Sequence, residues 1–335
     1  MAIEMYSFII PVYNRPQEIK ELLESFTRLE GDINFEIVII EDGSTQHSQH
    51  IVEAFSAQLN IKYYYKDNSG PGDSRNFGMK KASADFYIIL DSDVILPKHY
   101  LRSVALYLNQ NKVDCFGGPD AAHHSFSDLQ KAINFAMTSF LTTGGIRGNT
   151  NDFERFQPRS FNMGLSKKAF LATKGFGQIH PGEDPDLVLR LWKLGFKTTL
   201  IKAAYVYHKR RISWKKFYQQ VYKFGVVRNI LNHWHPQSKK FTYWFPTLFT
   251  IGFFVSILLS FFFTHLFLLL YLAYFLSIII LSLVSTKSIS VALKSLYAVL
   301  IQFFGYGYGF LKSYLAVHIL KQSPNIYFKN FFFNK

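Results

Sequence analysis

The chain has 335 residues, enough for one large domain or two ordinary ones. With 49% apolar and 18% charged residues it is no disordered linker, and its single cysteine, Cys115, excludes a disulfide framework and a cysteine-based zinc site. The net charge of +14 is unevenly placed. Residues 1–150 carry 13 Lys/Arg against 18 Asp/Glu, residues 151–335 carry 24 against 5, and no acidic side chain follows Asp186. Basic residues that flank long apolar runs point to a membrane surface and away from nucleic acid.

In chain order, strand-like runs at 6–12, 36–41, 61–66 and 86–90 alternate with helical patterns at about 16–29, 46–58 and 74–82. Apolar runs without polar alternation, separated by helices, predict an α/β fold with a mostly parallel sheet and helices on both faces. Ligands on such sheets bind at the carboxyl ends of the strands. Asn14 and Arg15, Asp42, residues 68–72 and the Asp91-Ser92-Asp93 triplet directly follow these runs. No signal peptide is read at the N-terminus, because Glu4 interrupts it and a strand begins by Tyr6. The first 240 residues or so are therefore expected to be a cytosolic domain.

Residues 213–232 place Trp214, Phe217, Val221, Phe224, Val227 and Leu231 on one helical face, with Lys215, Lys216, Gln219, Gln220 and Lys223 on the other. This predicts an amphipathic helix suited to a lipid interface. Lys209, Arg210 and Arg211 precede it; they either anchor the chain to anionic lipid or recognise the phosphate of a lipid-linked acceptor. Between Lys240 and Lys287 lie 46 residues without Asp, Glu, Lys or Arg. That length predicts two membrane spans, near 244–263 and 266–285, joined by a turn at Thr264-His265. A third apolar segment near 289–319, with Gly305, Gly307 and Gly309 between aromatics, either spans or lies at the interface. Lys239, Lys240 and Lys287 place both ends of the hairpin in the cytoplasm, in an inner or plasma membrane.

Four motifs carry candidate chemistry. Asp91 and Asp93 stand two apart at a strand end and can share one Mg²⁺ or Mn²⁺, or a cation and a ribose; a solvated turn would look the same in isolation. Asp42, in Glu41-Asp42-Gly43-Ser44-Thr45, can accept from a base or ribose hydroxyl, or the segment can cap the next helix. The glycine-rich turn 70–78 opens a helix whose free N–H groups, with Arg75, suit an anion. It lacks the features of a P-loop or dinucleotide fingerprint, which disfavours a kinase-like ATPase and a dehydrogenase. Glu183, Asp184 and Asp186 begin another helix, either as dipole-favoured acids or with a carboxylate serving as general base.

Taken in order, residues 7–15 (SFIIPVYNR), 41–45 (EDGST), 70–78 (GPGDSRNFG), 91–93 (DSD), 162–165 (NMGL) and 182–191 (GEDPDLVLRL) resemble family 2 glycosyltransferases of the GT-A fold, over about residues 5–210. The resemblance implies inverting, metal-dependent transfer from a nucleotide-diphospho-sugar (UDP or GDP) to an acceptor hydroxyl. It implies that Pro11 and Val12 line the base pocket through their backbones, and that Asn14 and Ser92 are also among the nucleotide-sugar-binding residues. Asp42 would contact the base, Arg75 the nucleotide, and Asp91 the ribose or metal. Asp93 would be the ligand of Mn²⁺ or Mg²⁺, with His208 as a further metal or diphosphate contact. Asn162 and Met163 would flank donor sugar and acceptor, Asp184 would be the general base, and Glu183 would orient the site.

The expected organisation is a GT-A domain at 1–210, a basic interfacial helix at 211–240 and a membrane domain at 241–335. The expected partners are the nucleotide-sugar donor, a lipid-linked or glycolipid acceptor and the membrane, with no nucleic acid. The absence of a Gln-x-x-Arg-Trp sequence disfavours a processive cellulose-synthase-like polymerase. A polyprenyl-phosphate sugar synthase, whose acceptor needs no strong base, and a non-enzymatic anionic-lipid-binding module are the competing readings. Asp184 discriminates the first and Asp93 the second.

Overall fold

Strands that are apolar at every position must be covered on both faces, and the first part of this molecule is built that way. The structure, a computed structural model, describes residues 3–121, 126–143, 156–208 and 213–333. It divides into one unit of residues 1–123, 150–208 and 330–335, and a second of 124–149 and 209–329.

The first unit runs through β1 (Tyr6–Val12), α1 (Pro16–Phe26), β2 (Phe35–Asp42), α2 (Gln49–Phe55), β3 (Ile61–Lys66), α3 (Pro71–Lys81), β4 (Phe86–Leu90), β5 (Val94–Ile95), α4 (Tyr100–Gln110), β6 (Cys115–Gly117) and β7 (Asp120–Ala121). The chain then gives α5 (Asp128–Thr138) and α6 (Phe140–Thr143) to the second unit. It returns as β8 (Asn162–Ser166), α7 (Lys167–Thr173), α8 (Glu183–Lys193), β9 (Thr198–Leu200) and β10 (Val206–His208). The main sheet has the order β3-β2-β1-β4-β8-β6-β9, and a small sheet the order β5-β10-β7. All neighbours in the main sheet are parallel except β8, which runs against both β4 and β6.

Side-chain alternation divides the core between the two faces. Phe8, Ile10, Ile37, Ile39 and Ile88 pack on one side, and Ile9, Val38, Ile40, Ile89 and Leu165 on the other. The order reverses between β1 and β4, which makes their carboxyl ends the topological switch point. Local chemistry trims the expected helices. Pro71 takes the first helical position, so α3 begins three residues before the expected 74. The Ser48 N–H donates to Glu41, so α2 begins at Gln49 and not at 46.

The second unit contains α9 (Trp214–Trp234), α10 (Phe245–Phe262), α11 (Leu266–Thr286) and α12 (Ile289–Tyr314) with α5 and α6, followed by α13 (Pro324–Tyr327). Three helical stretches, Phe241–Phe262, Leu266–Thr286 and Ile289–Ile319, are long and apolar enough to cross a membrane. The apolar stripe read as a lipid-facing surface is instead packed: Phe217 and Val221 of α9 lie in a core with Ala298, Val299 and Phe303 of α12, and with Ile133 and Met137 of α5. Glycines cause this difference, because they let the α9 and α12 backbones meet. A Cβ on Gly225 would lie 2.2 Å from the Tyr306 carbonyl oxygen, and one on Gly309 would lie 2.3 Å from that of Tyr222.

Candidate active site

The strand ends at the switch point deliver polar loops, and hydrogen bonds fix the loops after β1 and β2. After β1, Asn14 adopts φ +53° and its Oδ1 accepts from the Thr45 and Gln46 N–H groups at 2.9 and 3.0 Å. The loops after β1 and β2 are thus tied together. Pro11 and Val12 lie at the end of β1, with Val12 in the core and Pro11 half-buried. After β2, Asp42 is 4% exposed and accepts from Lys66 Nζ (2.6 Å) and from the N–H groups of Ser69 and Gly70 (both 3.0 Å). The carboxylate expected to meet a nucleotide base is therefore engaged in holding the loop that opens α3.

Arg75, on the first turns of α3, is 3% exposed and donates to Asp91 Oδ1 at 2.8 Å and Glu183 Oε1 at 3.0 Å. Asp91 and Asp93 flank the buried Ser92 between β4 and β5, and Asp93 pairs with Arg15. Glu183 Oε1 also meets His180 Nδ1 at 3.0 Å. Among the described residues, Arg75 Nε and Glu183 Oε2 are buried without a hydrogen-bond partner, one donor and one acceptor inside this network. Burial alone raises the Glu183 carboxyl; the His180 ring and Arg75 outweigh it and bring it down to about 2. Burial and the adjacent Glu183 push Asp184 upward, although the Arg159 guanidinium, 3.8 Å away, opposes this.

The chain brings Asp91, Arg75 and Glu183 into direct contact and leaves Asp184 as the next residue on the same helix start. It does not present Asn162 and Met163 to a ligand through their side chains. Asn162 accepts from the Tyr100 hydroxyl and donates to the Ala204 carbonyl, and Met163 is in the core. As neighbours on β8 they point to opposite faces of the sheet, both of which are covered. His208 ends β10 opposite Val94 of β5, which places it in register one residue from Asp93. Lys209, Arg210 and Arg211 lie outside the described residues.

Sequence reasoning did not identify His180, Lys66 or Arg159, or the pairing of Arg15 with Asp93. The Asp42–Lys66 and Arg15–Asp93 pairs span 24 and 78 residues, so no local motif encodes them. A histidine three residues before Glu183 was the one local signal available. Carboxylates such as those of Asp91 and Asp93 suit a hard divalent cation in kind. Among the described residues, however, no three His, Cys, Asp or Glu groups are already gathered around one point.

The sheet order, with acidic loops at its switch point, defines a GT-A fold. The mannosyltransferase PcManGT from Pyrobaculum calidifontis, solved with GDP-Man and Mn²⁺, shares that fold at a TM-score of 0.55 and 12% identity, covering 96% of this chain and 89% of that one. A fragment of TarS from S. aureus, solved with UDP-GlcNAc, superposes at 0.50 and 19% identity, covering 95% and 92%. Residues 7–170 match the model of glycosyl transferase family 2, so this stretch of the chain carries a domain of that family. In sequence, the poly(ribitol-phosphate) beta-N-acetylglucosaminyltransferase TarS of Staphylococcus aureus is 33% identical over 112 residues, 32% of this chain. That match spans only 20% of TarS.

Proposed function

We propose that the chain transfers one sugar from a nucleotide-diphospho-sugar to a hydroxyl of a lipid-linked saccharide or glycolipid, with inversion at the anomeric carbon. The observation that carries this reading is the Asp91–Arg75–Glu183 chain, centred on the buried Arg75, which joins the donor-side acid to the helix start bearing Asp184. Asp184 takes the proton of the acceptor hydroxyl as its oxygen bonds to the anomeric carbon. The bond from that carbon to the diphosphate breaks on the opposite face, and the nucleoside diphosphate leaves. An acid raised above its ordinary value suits this task, because a base works best with a pKa near the working pH. Arg15 and Arg75 supply positive charge beside the departing phosphates, where pre-set charge contributes most to the rate.

Asp91, Asp93 and His208 would hold a Mn²⁺ or Mg²⁺ ion, which would supply charge neutralisation for the leaving diphosphate. UDP-GlcNAc in the TarS structure and GDP-Man in the PcManGT structure support a nucleotide-diphospho-sugar donor. The three helices long enough to cross a membrane and the basic second half support an acceptor held in lipid, with the catalytic unit on the cytoplasmic side.

The test is transfer by the full chain in proteoliposomes, from UDP- and GDP-sugars with Mn²⁺, for the wild type, Asp93→Asn and Asp184→Asn. Asp184→Asn is expected to lower turnover by roughly 10²–10⁴-fold and to leave nucleotide binding intact. Full turnover by Asp184→Asn would mean that the acceptor is already ionised, as a polyprenyl phosphate is. A folded wild type that binds no nucleotide would favour the lipid-binding module.

A further inference from the structure

After α13 the chain rejoins the first unit at residue 330, within a 3-10 turn at Lys329–Phe331, and residues 331–333 lie along the loop that leads to Glu183. The His180 N–H donates to the Phe331 carbonyl at 2.8 Å, and the Phe333 N–H donates to the Gln178 carbonyl at 3.1 Å. Ile179 and Phe332 pair between them as an antiparallel bridge. Two backbone bonds around one bridge make a short strand addition. The Phe333 ring closes over Gly70: a Cβ at that position would lie 2.4 Å from Phe333 Cδ2, and Gly70 itself sits at φ +90°. The same ring lies 6.0 Å from the His180 ring.

Both ends of this contact reach the site. The Gly70 N–H donates to Asp42, on the donor-side loop. His180 bonds Glu183, on the acceptor-side helix start. The first half of the 174–182 loop is fixed by α3 and α8, since Asn76 exchanges two hydrogen bonds with Phe176 and Arg190 donates to the Thr173 and Gly175 carbonyls. Its second half, from Gln178 to His180, is bonded to residues 331–333.

We propose that residues 331–333 form a clasp that positions His180, and through it Glu183, against the donor-side loop at Gly70, so that Phe333 is a positioning residue for transfer. The proposal rests on the reading of Glu183 and Asp184 as the acceptor-side acids. Phe333→Ala removes the ring, Phe333→Pro removes the ring and the N–H donor, and Phe333→Leu keeps an apolar plug. A displaced acid group costs rate steeply, so Phe333→Ala is expected to lose on the order of 10–100-fold in kcat, with Phe333→Pro losing more and Phe333→Leu recovering most of it.

A merely structural role would not couple Phe333 to His180. Phe333→Ala and His180→Ala are therefore expected to be less than additive in kcat when combined, beyond the roughly twofold scatter of independent sites. Amide exchange supplies a readout apart from activity: residues 178–182 should exchange faster in Phe333→Pro, with β1 and β2 still protected. Loss of protection in β1 and β2 would mark a misfolded variant, and Phe333→Ala, which keeps its N–H, then carries the exchange comparison. Additive losses, full turnover by Phe333→Pro or unchanged exchange at 178–182 would overturn the clasp. A wild type that transfers no sugar would count against the proposed function, and the exchange comparison would still decide the clasp.

Discussion

Glu183 and Asp184 are neighbours in the chain, yet their surroundings push their carboxyls in opposite directions, with consequences for stability that have opposite signs. Glu183 has a folded value of about 2, below its ordinary 4.5. It stabilises the fold above the ordinary value, and that contribution is lost as pH falls toward 2. Asp184 is raised, so the fold is favoured while this group is neutral, and that contribution is lost as pH rises through the folded value. Asp184→Asn should therefore unfold at a higher temperature than the wild type, by a margin that widens from acid toward neutral pH. Thermal unfolding across that range checks this, and a margin that narrows with pH would contradict it. Arg75→Met, in contrast, strands a buried Glu183 charge and should cost about 3–5 kcal/mol in chemical denaturation. At this scale the strand-end residues were legible because a parallel sheet directs them to one edge. The partners of Asp42, Asp93 and Asn162 were not, because each comes from a distant element and is selected by burial.

Among the elements, the pair α9 and α12 shows what composition reveals and what it hides. Length and lack of charge located α10 and α11 within a residue or two of the expected spans. The third apolar segment is ambiguous in sequence because Lys294 and Lys312 bracket its uncharged stretch. Its structural use follows from alternate glycines: Gly305 and Gly309 face α9, and Gly307 faces the Pro246 carbonyl of α10. Close helix approach through small residues is a common solution where no water drives association. Gly309→Leu would drive a side chain into a carbonyl that cannot move aside, and should lower stability by about 2–3 kcal/mol in detergent. Gly305→Ala meets only the Val221 methyl and the Tyr218 ring, which can shift, so its loss should be the smaller of the two. Equal losses would show that the α9–α12 contact is not set by these backbones. The partner of α9 was invisible in sequence because an amphipathic stripe fits a protein groove as well as it fits lipid.

For the whole molecule, charge and the single thiol together allow orientation to be read. Cys115 is fully buried and burial pushes its thiol up, so it gives little background labelling. Single cysteines at Thr264→Cys and Lys240→Cys, probed with an impermeant maleimide in intact cells, should label from opposite sides of the membrane. Labelling of both from the same side would contradict a spanning α10.

The assignment of residues 124–149 and 330–335 to different units means that the polypeptide passes between the units four times. A ribosome that has released β1 through β10 has made every strand of the main sheet, yet the donor-side loop still awaits Phe333, some 125 residues later. The α5 segment, made early, must likewise wait for α12 to cover Ile133 and Met137. Completion of the contacts around Gly70 and His180 thereby follows synthesis of the apolar helices. A fragment stopped at His208 would retain the sheet, expose α5 and lack the strand that holds His180.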